Sequence, residues 1–109
     1  MSDGTAQVVI VAYKPKPGKE ADLLQLTREH LLILRAEGLA TNMPELALMA
    51  EGGVIVEVFE WAPGGTERAH SNPTILAMWK RYFDACDVIP LRDLAEASQL
   101  FASFSRIEL

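Results

Sequence analysis

Cysteine is almost missing from this chain: Cys86 stands alone, so no internal disulfide can form and the cross-linked scaffold of a small secreted domain is excluded. Nothing basic adjoins Cys86 in the pattern, and its thiol is expected to be buried and inert. Histidine is nearly as scarce. His30 and His70 are far apart, with no His-x-x-x-His or paired cysteines, which leaves no metal-ligand spacing. Positive charge is in deficit as well: ten Lys and Arg against fifteen Asp and Glu give a net charge of -5. That balance excludes the basic footprint of a nucleic-acid binder and disfavours anionic membrane surfaces. No apolar run approaches the ~18 residues of a membrane helix. The opening Met1-Ser2-Asp3-Gly4-Thr5 lacks the charged and apolar regions of a secretory leader. With the lone cysteine, this gives the reducing cytoplasm as the expected location. Gly52-Gly53 and Gly64-Gly65 lack the spaced third glycine or lysine of a phosphate-cradling loop, so no nucleotide or other cofactor is called for.

What the chain does have is apolar surface. Half of its 109 residues are hydrophobic and 23% are charged. A chain of this length forms one domain, residues 1–109, and buries roughly 65% of its unfolded surface. Its apolar content exceeds what so small an interior needs, leaving some for a partner or a ligand.

Val8 to Tyr13 is a β-branched run closed by Pro15 and Pro17, which reads as a first strand. From Lys19 to Glu37 the period changes, and Leu23, Leu26, Thr27, His30, Leu31 and Leu34 share one helical face. Leu46 to Ala50 and Val54 to Trp61 read as an antiparallel pair turning at Glu51-Gly52-Gly53. Thr66 to His70 has room for one helical turn. A second long helix starts near Pro73 and presents Ile75, Leu76, Met78, Trp79, Tyr82, Phe83 and Cys86 as a broad apolar arc. Pro90 stops any continuation, Leu91 to Leu100 is an irregular or helical excursion, and Phe101 to Ile107 is expected to close the fold as a fourth strand.

That order predicts an α+β, ferredoxin-like βαββαβ fold with two helices on one face of a four-stranded antiparallel sheet. The strands do not alternate as a half-solvated sheet requires. Val8, Ile10 and Ala12 oppose Val9, Val11 and Tyr13, and Val54, Val56 and Val58 oppose Ile55, Phe59 and Trp61, so both faces are apolar. Exposing them would forgo roughly 1.5 to 3 kcal/mol per large side chain. A homodimer, one copy's helix-free face against the other's, is the expected remedy.

The turn Lys14-Pro15-Lys16-Pro17-Gly18-Lys19, the long first helix, and Glu57-Val58-Phe59-Glu60-Trp61 followed by Ala69-His70-Ser71-Asn72-Pro73 carry a resemblance. Across nearly its whole length the chain resembles the antibiotic biosynthesis monooxygenase-like family of dimeric α+β barrel proteins. The resemblance implies a small-molecule enzyme akin to cofactor-independent monooxygenases acting on quinol or phenolic substrates. Small isomerases and members without known chemistry share the fold, and fold does not decide among them. A non-enzymatic dimeric ligand-binding or stress-associated module is the competing class. Haem-degrading relatives use an Asn on the first strand, but here the asparagines are Asn42 and Asn72, and that chemistry is not implied.

Five residues are the candidates for a site. His30, within an apolar stripe, reads either as a general base or as a core histidine bonded to a nearby acceptor. Glu57 shares a strand face with Ile55, Phe59 and Trp61. Burial there would raise its pKa and suit it to proton abstraction, unless Arg106 on the last strand neutralises it. Tyr13, Trp61 and His70 are the candidate substrate-binding residues: Tyr13 bonds a substrate oxygen or simply packs, Trp61 forms a flat pocket wall, and His70 orients substrate or is a capping or surface group. Trp79 and Tyr82 are read as core.

Overall fold

A computed structural model describes residues 5–109; the leader reading of residues 1–4 lies outside the described part. Strand β1 spans Gln7–Pro15 and helix α1 spans Glu20–Ala36. The buried residues of α1 are Leu23, Leu26, Thr27, His30, Leu31 and Leu34, the same stripe read from the sequence. Strands β2 (Leu46–Met49) and β3 (Ile55–Trp61) follow as an antiparallel pair. Their turn passes through Gly52 and Gly53 at φ 76 and 81, a left-handed backbone that side chains resist. A short helix α2 (Gly65–Ala69) precedes α3 (Pro73–Ala85). Asn72 caps α3: its Oδ1 accepts from the backbone N–H of Thr74 at 3.0 Å and of Ile75 at 3.2 Å.

The fourth strand departs from expectation. β4 is Cys86–Ile89, directly after α3, and pairs with β1 from Ala12↔Ile89 to Pro15↔Cys86. The helical stripe ran through Cys86 and masked the β-branched pair Val88-Ile89, which Pro90 terminates. The expected strand Phe101 to Ile107 shrinks to β5, Ser105–Arg106, at the opposite edge beside β2. The sheet therefore has five strands, all antiparallel, in the order β4-β1-β3-β2-β5.

The two sheet faces hold separate cores. Beneath α1 and α3 lie Tyr13, Ile55, Phe59 and Trp61, packed on Leu23, Leu34, Ile75 and Met78. On the other face Ala12, Val54 and Val56 pack with Ala50 and Leu94, joined by Leu48, Ile89 and Phe104. Two 3-10 turns, Leu91–Asp93 and Ala95–Ser98, belong to the segment carrying Leu94 and Phe104, so residues 91–104 cover part of the helix-free face themselves. Val8 and Ile10 on that face stay 54% and 51% exposed.

Where α2 meets the end of β3, Gly65 is buried beneath the chain at Leu39. A Cβ on Gly65 would collide with the Leu39 carbonyl oxygen, and the Trp61 ring would lie 3.2 Å from it. The Leu39 carbonyl is held by the Ala62 N–H at 2.8 Å and has little freedom to retreat. Gly65→Ala is expected to destabilise the fold by ~1–3 kcal/mol, the range for an overpacked core, as a lowered urea midpoint; an unchanged midpoint would contradict this packing.

Candidate active site

The site starts from strand parity. Glu57 lies at the centre of β3, opposite Val11 on β1 and Ala47 on β2, and points with Ile55, Phe59 and Trp61 toward the helices. Ala47 is small and fully buried, which leaves space for polar groups above the sheet. From the buried stripe of α1, His30 reaches down so that its Nδ1 lies 2.9 and 3.0 Å from Glu57 Oε1 and Oε2. The Tyr13 hydroxyl donates to the same Oε1 at 3.0 Å. His30 is 3% exposed and Glu57 not at all.

An ionised carboxylate only accepts hydrogen bonds, so His30 Nδ1 carries a hydrogen and donates it; in the neutral ring Nε2 is then left with the lone pair. The ring cannot swing freely. Phe59 and Tyr82 meet it edge to face, with centroids 5.4 and 5.3 Å away.

Next to His30 opens a cavity of about 240 Å³, whose walls include Val9, Val11, Tyr13, Phe59, Trp61, Trp79 and Tyr82. Phe83 and Val88, 63% and 54% exposed, complete its lining toward the surface. The volume exceeds the roughly 150 Å³ of an apolar cavity that holds benzene, so a compact aromatic molecule fits. Nearly every lining group is apolar, and His30 is the only one with an ionisable nitrogen.

The electrostatics divide the labour. Burial works against ionisation of Glu57, but the hydrogen bond and charge of His30, aided by Glu45 and Tyr13, outweigh it and hold the carboxyl below its ordinary range. This reverses the upward shift expected from burial alone. Burial, then the charge of Glu57, raises the Tyr13 phenol and keeps it a neutral donor. The same causes raise Tyr82, whose hydroxyl is buried without a hydrogen-bond partner among the described residues. Burial and the nearby Asp87 push the Cys86 thiol up to about 11, so it is no nucleophile.

His30, Tyr13 and Trp61 meet at the cavity, and Glu57 stands behind His30 without lining it. His70 does not join them. Its Nδ1 donates to the Thr66 carbonyl at 2.8 Å on an exposed turn, and its ring rests edge-on against Trp79 at 5.1 Å. Arg106 is exposed on β5 opposite Leu48, so His30 and not Arg106 partners Glu57. Tyr82 belongs to the core and Trp79 packs against it, as read, and both also wall the cavity. Glu45, a neighbour of Glu57 that perturbs its ionisation, had no part in the sequence-based site. The alternation of Glu45, just before β2, with Ala47 within it was the available signal, but it needs the register to be recognised. Among the described residues no group of three or more His, Cys, Asp or Glu is placed to hold a metal ion, and no helix is long and apolar enough to cross a membrane.

No protein-family model, curated protein or solved structure matches this chain at a significant level.

Removing His30 strands the buried carboxylate of Glu57. His30→Leu is expected to cost ~3–5 kcal/mol in urea unfolding because Glu57 loses its main donor, whereas adding Glu57→Gln to that variant returns a substantial part. Additive losses in the two single variants and the double variant would show that the pair is not coupled.

Proposed function

We propose that the protein is a small-molecule enzyme in which His30, held by Glu57, removes a proton from a flat phenolic or quinol substrate bound in the cavity. The observation that carries this reading is the division of the imidazole: Nδ1 is tied to a buried carboxylate, and the ring faces an apolar cavity. Glu57 orients the ring and stabilises the imidazolium that forms, so a geometry fixed before binding lowers the cost of proton transfer. Trp61 and Trp79 form aromatic walls suited to a planar ring. His70 acts through Trp79 and not on the substrate.

Once deprotonated, an electron-rich aromatic anion reacts with dioxygen at carbon. The new C–O bond forms a peroxide at a carbon that bears hydrogen; loss of that hydrogen as a proton breaks the O–O bond, leaves a carbonyl on the carbon and, with the proton returned by His30, releases the second oxygen as water, so the substrate supplies every electron and no redox cofactor is needed. This is the chemistry implied by the resemblance to the antibiotic biosynthesis monooxygenase-like proteins. The arrangement of β1 through β4, with α1 and α3 on one face, supports the ferredoxin-like reading, to which β5 and residues 91–104 are additions.

The test is turnover of a panel of quinols and polycyclic phenols under air, followed by oxygen uptake. Oxygen-dependent conversion is expected, with kcat reduced by about 10²–10⁴ in His30→Ala and less in Glu57→Gln, which preserves shape but not charge. Conversion without oxygen uptake would assign an isomerase using the same base. Binding with no conversion of any compound would point to a ligand-holding module.

A second copy of the chain is the proposed cover for the helix-free face. The strip around Val8 and Ile10 remains exposed beside residues 91–104, and that segment turns Leu100 and Phe101 outward at 99% and 88% exposure. Sedimentation is expected to find a dimer that Ile10→Glu converts to a folded monomer; a wild-type monomer at micromolar concentration would refute the arrangement.

A further inference from the structure

Glu45 immediately precedes β2, two residues before Ala47, and Ala47 sits across the ladder from Glu57. Parity therefore puts the Glu45 side chain on the helix-facing side of the sheet, diagonal to Glu57. The two carboxyls are neighbours, each perturbing the ionisation of the other. Glu45 Oε2 is sealed from water and has no hydrogen-bond partner among the described residues. Arg35 of α1 is the nearby cation, but its Nε and Nη2 are spent on the carbonyls of Thr41 and Met43, at 2.8 and 2.6 Å.

Two neighbouring carboxyls away from water are not both readily ionised, so the pair holds one proton. Donor inventory decides which oxygen carries it. Glu57 already accepts from His30 Nδ1 and the Tyr13 hydroxyl, and both bonds favour its charged form. Glu45 has only a weakly engaged arginine to favour its own charge. We propose that Glu45 is a positioning residue: it keeps its proton at neutral pH, donates it to Glu57, and so completes the set of donors that holds Glu57 toward His30. This deepens the reading of His30 as the base, yet it can be tested with no substrate present.

The groups facing Glu45 are Glu57 on β3 and Arg35 on α1, with the Tyr82 phenol of α3 in the same field. Burial first, then Glu57, raises the Glu45 carboxyl to about 9 from an ordinary 4.5. An acid raised in the folded state holds a proton that the unfolded chain has released. Its contribution is therefore complete below 4.5 and drains away as pH climbs to about 9. Glu45→Gln keeps a donor at this position and removes the titration.

The experiment is carboxyl ¹³C NMR across pH 4 to 10, with the Glu45 signal assigned by its loss in Glu45→Gln. In the wild type that signal is expected to move near pH 9, and the His30 Nδ1–H resonance to move in step with it. In Glu45→Gln the Nδ1–H resonance should stay fixed over that range, and the decline of the urea midpoint between pH 5 and 9 should flatten. A Glu45 signal titrating in the ordinary carboxylate range, or an Nδ1–H resonance that follows the same curve in Glu45→Gln, would overturn the proposal. If the titration holds while no panel compound is turned over, the positioning contact stands and the reading of His30 as a catalytic base falls.

Discussion

The contact between His30 and Glu57 is the interaction around which the molecule is arranged. A carboxylate taken wholly out of water costs several kcal/mol unless its oxygens are engaged. Here two donors meet Oε1, one of them also meets Oε2, and a second carboxyl lies close by. Meeting that demand requires three separate elements: β3 for Glu57, α1 for His30 and β1 for Tyr13. A shift of one residue in β3 would turn Glu57 to the opposite face. The pair thus ties the helix layer to one sheet register. Hydrophobic residues of similar volume would fill the same space at no electrostatic cost, so stability alone is a poor reason for the sequence to carry it.

The sheet uses its two faces differently. Toward the helices, odd-numbered positions of β1 and β3 build both the core and the cavity, with Val9, Val11, Phe59 and Trp61 serving each. Even-numbered positions face away, where Ala12 and Val56 are sealed by Leu94 and Phe104 while Val8 and Ile10 stay open. The segment from 91 to 104 is thus a partial lid on an oily surface. On the proposed reading, this partly covered face, with the outward leucine and phenylalanine of its covering segment, is where a second copy packs.

Much of this was legible in the sequence because it follows from period and parity. The stripe of α1, the hairpin at Gly52-Gly53 and the start of α3 at Pro73 are local signals, and each appears where it was read. The orientation of Glu57 followed from alternation alone. What could not be read was pairing at a distance. Nothing local says that Val88 and Ile89, at the end of an apolar helical arc, will join β1, or that Ser105-Arg106 will supply so short an edge. The sign of the Glu57 shift failed for a related reason. Burial is visible in a strand pattern, whereas a histidine 27 positions earlier in the chain becomes its partner only once α1 lies across β3. Arg106, a cation on what was expected to be a full-length neighbouring strand, was the natural but mistaken alternative.

On the proposed reading, His30 and not Glu57 is the member of the pair that takes the proton. A carboxylate held below its ordinary range and shielded from the cavity is a weak base with no access to a ligand, so neither its affinity nor its position fits it for abstraction. Imidazole has access, and its conjugate acid gains a nearby counter-charge as it forms. On the proposed reading, the apolar walls then matter as much as the base. They give the new aromatic anion few hydrogen bonds and so keep its electrons available at carbon, while dioxygen, itself apolar, partitions into the same space. An aqueous pocket with the same two residues would protect the anion by solvating it, so this reaction needs the phenylalanine, valine and tryptophan walls along with the histidine they surround.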